Sequence, residues 1–349
     1  MNSGVPLAAR GRNFTRSVLL RAAGCGMDVD SIRQTAFTRW GPVGAEDIAK
    51  AAVPAMGSGE TGNQSPAAVE FFDLVRAQSI YGRLTGLRKI PFRVRMIRMT
   101  GGTRGYWVGQ SKPIPVSKAA LLNTAGIEPA QVAAITVVTD EAVRFGGVAE
   151  STFEGDLRRA VAASWDEAFL DRTNAGESTA LEVVRPPAVT HGAPSVAGTG
   201  DPVANIAALI EGFAGDLGAA FFVTDPKTAA QLGLYRNGSG LVFPDVGPRG
   251  GTIVGIQVLT SANSPRDSAG GQIALIDPTG IAGGDGGIEV DRSDVAALQM
   301  SDTPEDGAEL VSLFQCNLVA LKSVLFVNWR VERPGSVSVL TDADYPPAI

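Results

Sequence analysis

Histidine occurs once in these 349 residues, at His191, so any serine–histidine–aspartate relay would depend on that one side chain. It lies in Val189-Thr-His-Gly-Ala-Pro194, a turn-forming context, and the chain has no Gly-x-Ser-x-Gly elbow to present a nucleophile. Cysteine is almost as scarce. Cys25 and Cys316 stand far apart without a Cys-x-x-Cys partner, which argues against a disulfide framework or a zinc site and fits a reducing cytoplasm. Long apolar runs are missing too: the best, Leu318 to Val327, is interrupted by Lys322 and falls short of a membrane span. Gly24-Cys25 follows Leu19-Leu20, but Arg16 and Arg21 leave too short an apolar stretch for a signal peptide. With aromatics at 6%, 42 glycines and 21 prolines, an all-helical bundle is not expected.

Acidic residues are absent from one long segment. Between Asp73 and Glu128 there is no Asp or Glu, while Arg76, Arg83, Arg88, Lys89, Arg93, Arg95, Arg98, Arg104, Lys112 and Lys118 all lie there. The rest of the chain holds all 36 acids against 20 bases, and Asp285 to Glu309 contains eight acids with Arg292 as its one base. Opposite fields on separate segments favour contacts between copies of one chain. A solvated surface whose charges happen to segregate is the plainer alternative. Phosphate contact with base stacking on Tyr106 and Trp107 is a third, opposed by the net charge of −6 and the absence of a nucleic-acid module.

What remains reads as a soluble globular chain, 44% hydrophobic and 19% charged, long enough for two or three domains. Residues 1–64 are Gly- and Ala-rich with no sustained apolar face. Ser65 as N-cap, Pro66 at the first helical position and Glu70 near the start open a helix with Val69, Phe72, Leu74 and Val75 on its apolar side. Lys89 to Met99 begins with strand alternation, Phe92, Val94 and Met96 opposite Arg93 and Arg95. Gly101, Gly102, Gly105, Pro113 and Pro115 keep the next part extended until a second β-rich run, Val132 to Thr139. Two strands around a basic excursion imply a hairpin-like arm. Thr152 to Arg172 is the strongest helix, with Ser151 and Glu154 in a capping-box pattern and a stripe of Phe153, Leu157, Ala160, Val161, Trp165, Ala168 and Phe169. Asp156, Arg158, Arg159, Asp166, Glu167 and Asp171 lie mostly off that stripe. Helices are expected from Pro202 and from Asp225-Pro226, strands at Ala219 to Val223, Thr252 to Leu259 and Gln272 to Ile276, and a turn-rich break at 283–287. The mixture indicates an α+β fold.

Two further patterns carry little chemistry. Gly57-Ser-Gly-Glu-Thr-Gly62 matches the dinucleotide fingerprint literally, but no strand precedes it and no helix opens at its third glycine. Asp277, Asp285, Asp291 and Asp294 could offer oxygens to calcium but lack EF-hand spacing. No cofactor and no metal is expected.

Ordered blocks over roughly residues 57–345 resemble the major capsid proteins of tailed bacteriophages, which share the Hong Kong 97 fold. Tyr106-Trp-Val-Gly109 followed by Ile114-Pro-Val-Ser117 is similar to that family's extended loop, with Gln110 where a Glu is frequent. The helix carrying Trp165-Asp-Glu-Ala-Phe-Leu170 resembles its spine helix. Phe222-Val-Thr-Asp-Pro226, Gly255-Ile-Gln-Val-Leu259 and Ile276-Asp-Pro278 resemble successive parts of its axial domain. Val311-Ser-Leu-Phe-Gln-Cys-Asn-Leu-Val-Ala-Leu321, Asn328-Trp-Arg330 and Pro334-Gly-Ser-Val-Ser-Val-Leu-Thr341 resemble its closing helix and returning strand.

The resemblance implies a structural protein, not an enzyme, that assembles with itself through hexamers and pentamers into an icosahedral head around double-stranded DNA. Portal, scaffold or decoration proteins would be further partners, the virion capsid its location and the bacterial cytoplasm its place of assembly. The implied division is an N-terminal arm or scaffolding remnant over 1–64, a peripheral domain over 65–92, 138–198 and 329–349, an extended loop over 93–137, and an axial domain over 199–328. Inter-subunit contacts are expected from Arg93, Arg95, Arg98, Arg104, Tyr106, Trp107, Lys112 and Lys118, against an acidic surface of Asp291, Asp294, Glu305 and Asp306. Phe153, Leu157, Val161, Trp165 and Phe169 would form the buried side of the spine helix. Lys112 and Lys118 lie on the arm that carries crosslinking lysines in some relatives, with no partner Asn assignable. An encapsulin-like compartment is the alternative within the fold; a hydrolase or nucleic-acid-binding protein would be the alternative outside it.

Overall fold

The computed structural model describes residues 34–38, 66–101, 107, 120–124, 126–141, 149–179, 182–238, 240–301 and 310–345. The expected N-terminal arm therefore lies almost wholly outside the described residues, as do the glycine fingerprint at 57–62, Arg104, Tyr106, Lys112, Lys118, Glu305 and Asp306.

Two sheets and one long helix organise the chain. Helix α1 spans Pro66–Gln78 and begins at the expected proline; a one-turn helix α2, Ile80–Arg83, follows after Ser79, whose hydroxyl accepts the Gly82 N–H. Strand β1 is Arg88–Lys89, and β2 (Met96–Gly101) pairs antiparallel with β3 (Ala120–Thr124). The single strand expected over Lys89 to Met99 is thus broken. Pro91 cannot donate to a ladder, and Arg93 adopts a left-handed backbone (φ 61°) that turns the chain into the hairpin.

Strand β4 (Ala130–Thr139) leads to the 22-residue helix α3, Ala149–Leu170, about 33 Å long. The helix starts upstream of the expected cap, so Ser151 lies inside it and the capping-box reading fails; Ala149 and Glu150 are good helix formers and extend the first turn. Its far end is well satisfied. Thr190 Oγ1 and Gln272 Nε2 both donate to the Leu170 carbonyl (2.8 and 3.0 Å), and Asn174 Nδ2 donates to that of Ala168 (2.9 Å).

After two short strands, β5 (Glu177–Ser178) and β6 (Val183–Arg185), the chain builds a seven-stranded mixed sheet. Its strands are β7 (Ser195–Ala197), β8 (Phe221–Thr224), β11 (Val246–Gly247), β12 (Gly250–Ile253), β13 (Ile256–Thr260), β14 (Gly271–Ile276) and β19 (Val337–Ala343). Across the sheet the order is β11-β12-β13-β8-β14-β19-β7. A small hairpin of β9 (Arg236–Asn237) and β10 (Gly240–Leu241) precedes β11. The run Thr252 to Leu259, expected as one strand, is a hairpin: Val254 and Gly255 take φ of 52° and 80° and turn β12 back on β13.

Helices α4 (Pro202–Glu211) and α5 (Pro226–Leu234) cover one face of this sheet. Both start with an aspartate N-cap followed by proline. Asp201 accepts the Val203 N–H, and Asp225 those of Lys227 and Thr228. Asp277-Pro278 repeats the device at a 3₁₀ turn, Pro278–Gly280.

Strands β15 (Ile281–Ser293) and β18 (Leu318–Val331) are long, with the short antiparallel pair β16 (Ala297–Leu298) and β17 (Val311–Ser312) between them in sequence, and the four-stranded sheet β1-β15-β18-β4 is built on the two long strands. The run expected to close with a helix is therefore largely strand: β18, rich in Val and Leu, is paired along its length with β15 on one side and β4 on the other. The turn-rich break expected at 283–287 also lies inside a strand. Side chains there would collide with neighbours: a Cβ on Gly283 would meet the Tyr81 hydroxyl, one on Gly284 the Phe92 ring at 2.7 Å, and one on Gly286 Phe326 Cβ at 2.9 Å. The glycines make room for aromatic rings, with a bulge between Asp285 and Gly287.

The sheets also cross the expected domain boundaries. Residues 281–328, placed with the axial part, pair with β4 and β1, whereas β19, placed with the peripheral part, lies between β14 and β7 in the seven-stranded sheet. One hydrophobic cluster joins both sheets to α3: Val161, Trp165 and Phe169 share it with Val223, Ile276 and Val339 on one side and Ile288, Val319 and Leu325 on the other. Each such side chain contributes about 1.5–3 kcal/mol on burial. The long helix is the element between the two sheets.

Candidate assembly surfaces

Of the five residues expected on the buried side of α3, the three whose side chains are described belong to a buried centre completed by neighbouring elements. Val161, Trp165 and Phe169 are buried; Phe153 and Leu157 lie on the same helix, their side chains outside the described residues. Around Trp165 and Phe169 gather Phe72 of α1, Tyr81 of α2 and Trp329 of β18. Ring centroids are 4.8 Å apart for Tyr81–Trp165, 5.8 Å for Tyr81–Phe169 and 5.2 Å for Phe169–Trp329. Trp329 donates its indole N–H to the Pro187 carbonyl at 2.8 Å.

Sequence reasoning missed the residue beside Trp165. Asp166, placed off the apolar stripe, is 1% exposed. Its carboxylate accepts the Ile80 N–H (2.7 Å) and the Ser261 hydroxyl (2.6 Å), joining α2, α3 and the end of β13. Arg83 adds a bond to the Thr260 carbonyl at 2.8 Å. Burial pushes the Asp166 carboxyl up to about 6; the bonds from Ser261 and Ile80 and the Arg83 charge oppose that rise. The signal was present in the helical period, since buried Ala162 and Leu170 lie one turn to either side of Asp166.

The arm is rooted on the glycine strand. Ile90, Ile127 and Ala282 form a small cluster with Phe92 against it, and the Ile90 N–H reaches the Gly283 carbonyl at 2.9 Å. Arg76 and Lys89 converge on Asp285, at 3.9 and 3.2 Å. Arg93 is exposed, but its guanidinium meets Glu128 at 3.1 Å while its N–H bonds the Ile127 carbonyl at 2.9 Å. Part of the basic segment is thus neutralised inside the subunit by acids that flank it in sequence or lie across the fold. Arg95 is exposed beside half-exposed Val94, and Arg98 lies in β2 opposite Leu122. Further out, Trp107 is fully exposed.

Of the expected acidic surface, Asp291 lies in β15 in register with Lys322 of β18, and Asp294 is half-buried just beyond that strand. The acids considered for calcium are dispersed: Asp277 caps a turn and pairs with Arg333 at 3.3 Å, and Asp285 takes the two bases above. His191 sits in a turn, its Nδ1 3.0 Å from the Arg172 carbonyl oxygen. Among the described residues, the strongest features of this surface are the segment anchored at Ile90 on the glycine strand, the exposed Trp107 and a charged body.

Residues 73–342 match the model of the phage capsid family. A capsid polyprotein of Pseudomonas phage PAJU2 is 33% identical over 303 residues, covering 81% of this chain and 45% of that protein, so the match spans about half of its length. Among solved structures, a chain from Gordonia phage Cozz aligns with a TM-score of 0.53 at 16% identity over 75% of this chain and 86% of its own. One from Mycobacterium phage Adephagia aligns at 0.52 and 18% identity, over 74% and 88%. The two phage structures share the fold, and the family match covers most of the chain: it belongs to the phage capsid family, with an α+β fold of the Hong Kong 97 type.

Proposed function

We propose that this chain is the repeating subunit of an icosahedral phage head, assembled through hexamers and pentamers around double-stranded DNA, with no catalytic role of its own. The observation that carries the reading is Trp107, fully exposed in the isolated subunit on an arm whose root is pinned to the glycine strand. Lying across another copy would bury this indole, and many such modest contacts add to a stable closed object.

In this reading α3 with the β15–β18 sheet forms the peripheral part and the seven-stranded sheet with α4 and α5 the axial part. Arg95, Arg98, Arg104, Lys112 and Lys118 remain the arm's bases for acids of a neighbour, Asp291, Asp294, Glu305 and Asp306 among them. Arg93 is set apart by its own Glu128. Assembly would take place in the bacterial cytoplasm, with portal, scaffold or decoration proteins as further partners.

Electron microscopy of the purified chain, with light-scattering mass and nucleic-acid absorbance, tests this. Closed shells or capsomer rings are expected. Shells filled with a cargo protein would replace the reading with a storage compartment, and a monomer at every salt and concentration, with or without co-expressed phage partners, would overturn it.

A further inference from the structure

The hairpin tip between β12 and β13 is built from an unfavourable residue. Val254 adopts φ 52°, a left-handed conformation that β-branched residues rarely enter, and it is 80% exposed. Gly255 follows at φ 80°, completing a two-residue turn of the kind that asparagine–glycine serves best. Valine here gains nothing within its own subunit, because neither its backbone nor its side chain is favoured by the surroundings.

Its neighbours in the fold share the exposure. Strand β11 is the edge of the seven-stranded sheet; α5 ends on it, where Gly233 packs against the Val246 backbone, and the β9–β10 hairpin leads into it. Leu234 at the end of α5 and Leu241 in β10 are both exposed, with Arg236 and Arg249 also exposed beside them. From Leu234 to Gly255 the acids number one, Asp245. The opposite edge of the same sheet is β7, covered by α4. No Lys or Arg occurs between Arg185 and Lys227; this edge presents Asp201, Glu211 and the exposed Val203, and Arg172 reaches it at Ser195 Oγ of β7, 3.2 Å away.

We infer that the β11 edge of one subunit docks against the α4–β7 edge of the next copy of this chain, with Val254 as an apolar contact and Arg236 and Arg249 facing Asp201 and Glu211. Different surfaces meeting head to tail generate a ring, and here the arginines beside β11 are opposite in charge to the acids of α4, with exposed apolar residues on both sides. This contact rests on the shell reading and names the surfaces within it.

The test is a full-length series compared by electron microscopy and sedimentation. Val254→Asn suits the turn better, so the subunit should melt at the same or a higher temperature while the concentration needed for assembly rises at least tenfold. Arg249→Glu and Glu211→Arg should each raise that concentration, and the double swap should bring it back within about threefold of the parent. If the parent forms shells and Val254→Asn assembles at the parent concentration, with no compensation in the swap, the edge contact is wrong while the shell reading stands. If the parent itself forms no ring or shell, both fall.

Discussion

Asp166 carries an electrostatic cost that sets a direction for the subunit's pH response. Its folded carboxyl is raised to about 6 from an unfolded value of 3.8, mainly by burial, so between those two values the folded state binds more protons than the unfolded one. Stability therefore falls as pH rises through that window, by on the order of 2–3 kcal/mol in all. Below the unfolded value both states are protonated, and above about 6 the folded site holds a buried carboxylate supported by Ile80, Ser261 and the nearby Arg83. Asp166→Asn keeps the shape and can still accept the Ile80 N–H. Urea denaturation of dissociated subunits should find the variant at least as stable as the parent at pH 7. It should also remove most of the parent's loss of stability between pH 4 and pH 7. An unchanged pH dependence in the variant would assign the effect to other groups.

At the scale of elements, glycine in β15 decides where the arm sits. Gly284→Val places a branched side chain where Phe92 and the Ile90 carbonyl already lie, at 2.7 and 3.0 Å from the first added carbon. Overpacking of this kind costs about 1–3 kcal/mol. The variant should melt several degrees lower and its arm should be cut faster by protease, while Gly238→Ala, with open space around its Cβ, should leave both unchanged. The arm's charges separate by the same logic. Arg93→Glu sets two carboxylates side by side and should cost the subunit up to about 1 kcal/mol, as exposed pairs do. Arg95→Glu should leave the melting temperature alone but slow assembly and flatten its dependence on salt. Unaltered assembly kinetics for Arg95→Glu at low and high salt would remove the basic arm from the set of contacts. These elements also mark what the sequence could convey. Asp201-Pro202 and Asp225-Pro226 announced their helices because cap and proline act locally. The 283–287 stretch misled because its glycines answer to Tyr81, Phe92 and Phe326, two of them about 200 residues away, and local composition does not record such partners. Arg93 likewise read as a free base because Glu128, 35 residues on, meets it only once the hairpin forms.

For the whole molecule, the legible part was the order of elements, and the illegible part was which sheet each strand joins. Residues 318–331 and 337–343 are neighbours in sequence, yet the first belongs with β4 and β15 and the second with β14 and β7. Strand partners are chosen across long separations, so that division follows from pairing and not from local pattern. Assembly is the same problem one level up, and Trp107 is the place to observe it. Covering an indole of about 200 Å² yields about 5 kcal/mol before the cost of ordering the arm. Trp165 and Trp329 are already buried and Trp40 lies outside the described residues, so in a Trp40→Phe background a blue shift of tryptophan emission on assembly should come largely from Trp107. Trp107→Phe should assemble with most of that shift gone, and Trp107→Ala should need a markedly higher concentration while its dissociated subunit melts as the parent does. Should Trp107→Ala assemble as readily as the parent, the arm's tip would contribute nothing across the interface, and closure of the shell would have to rest on the edges of the seven-stranded sheet.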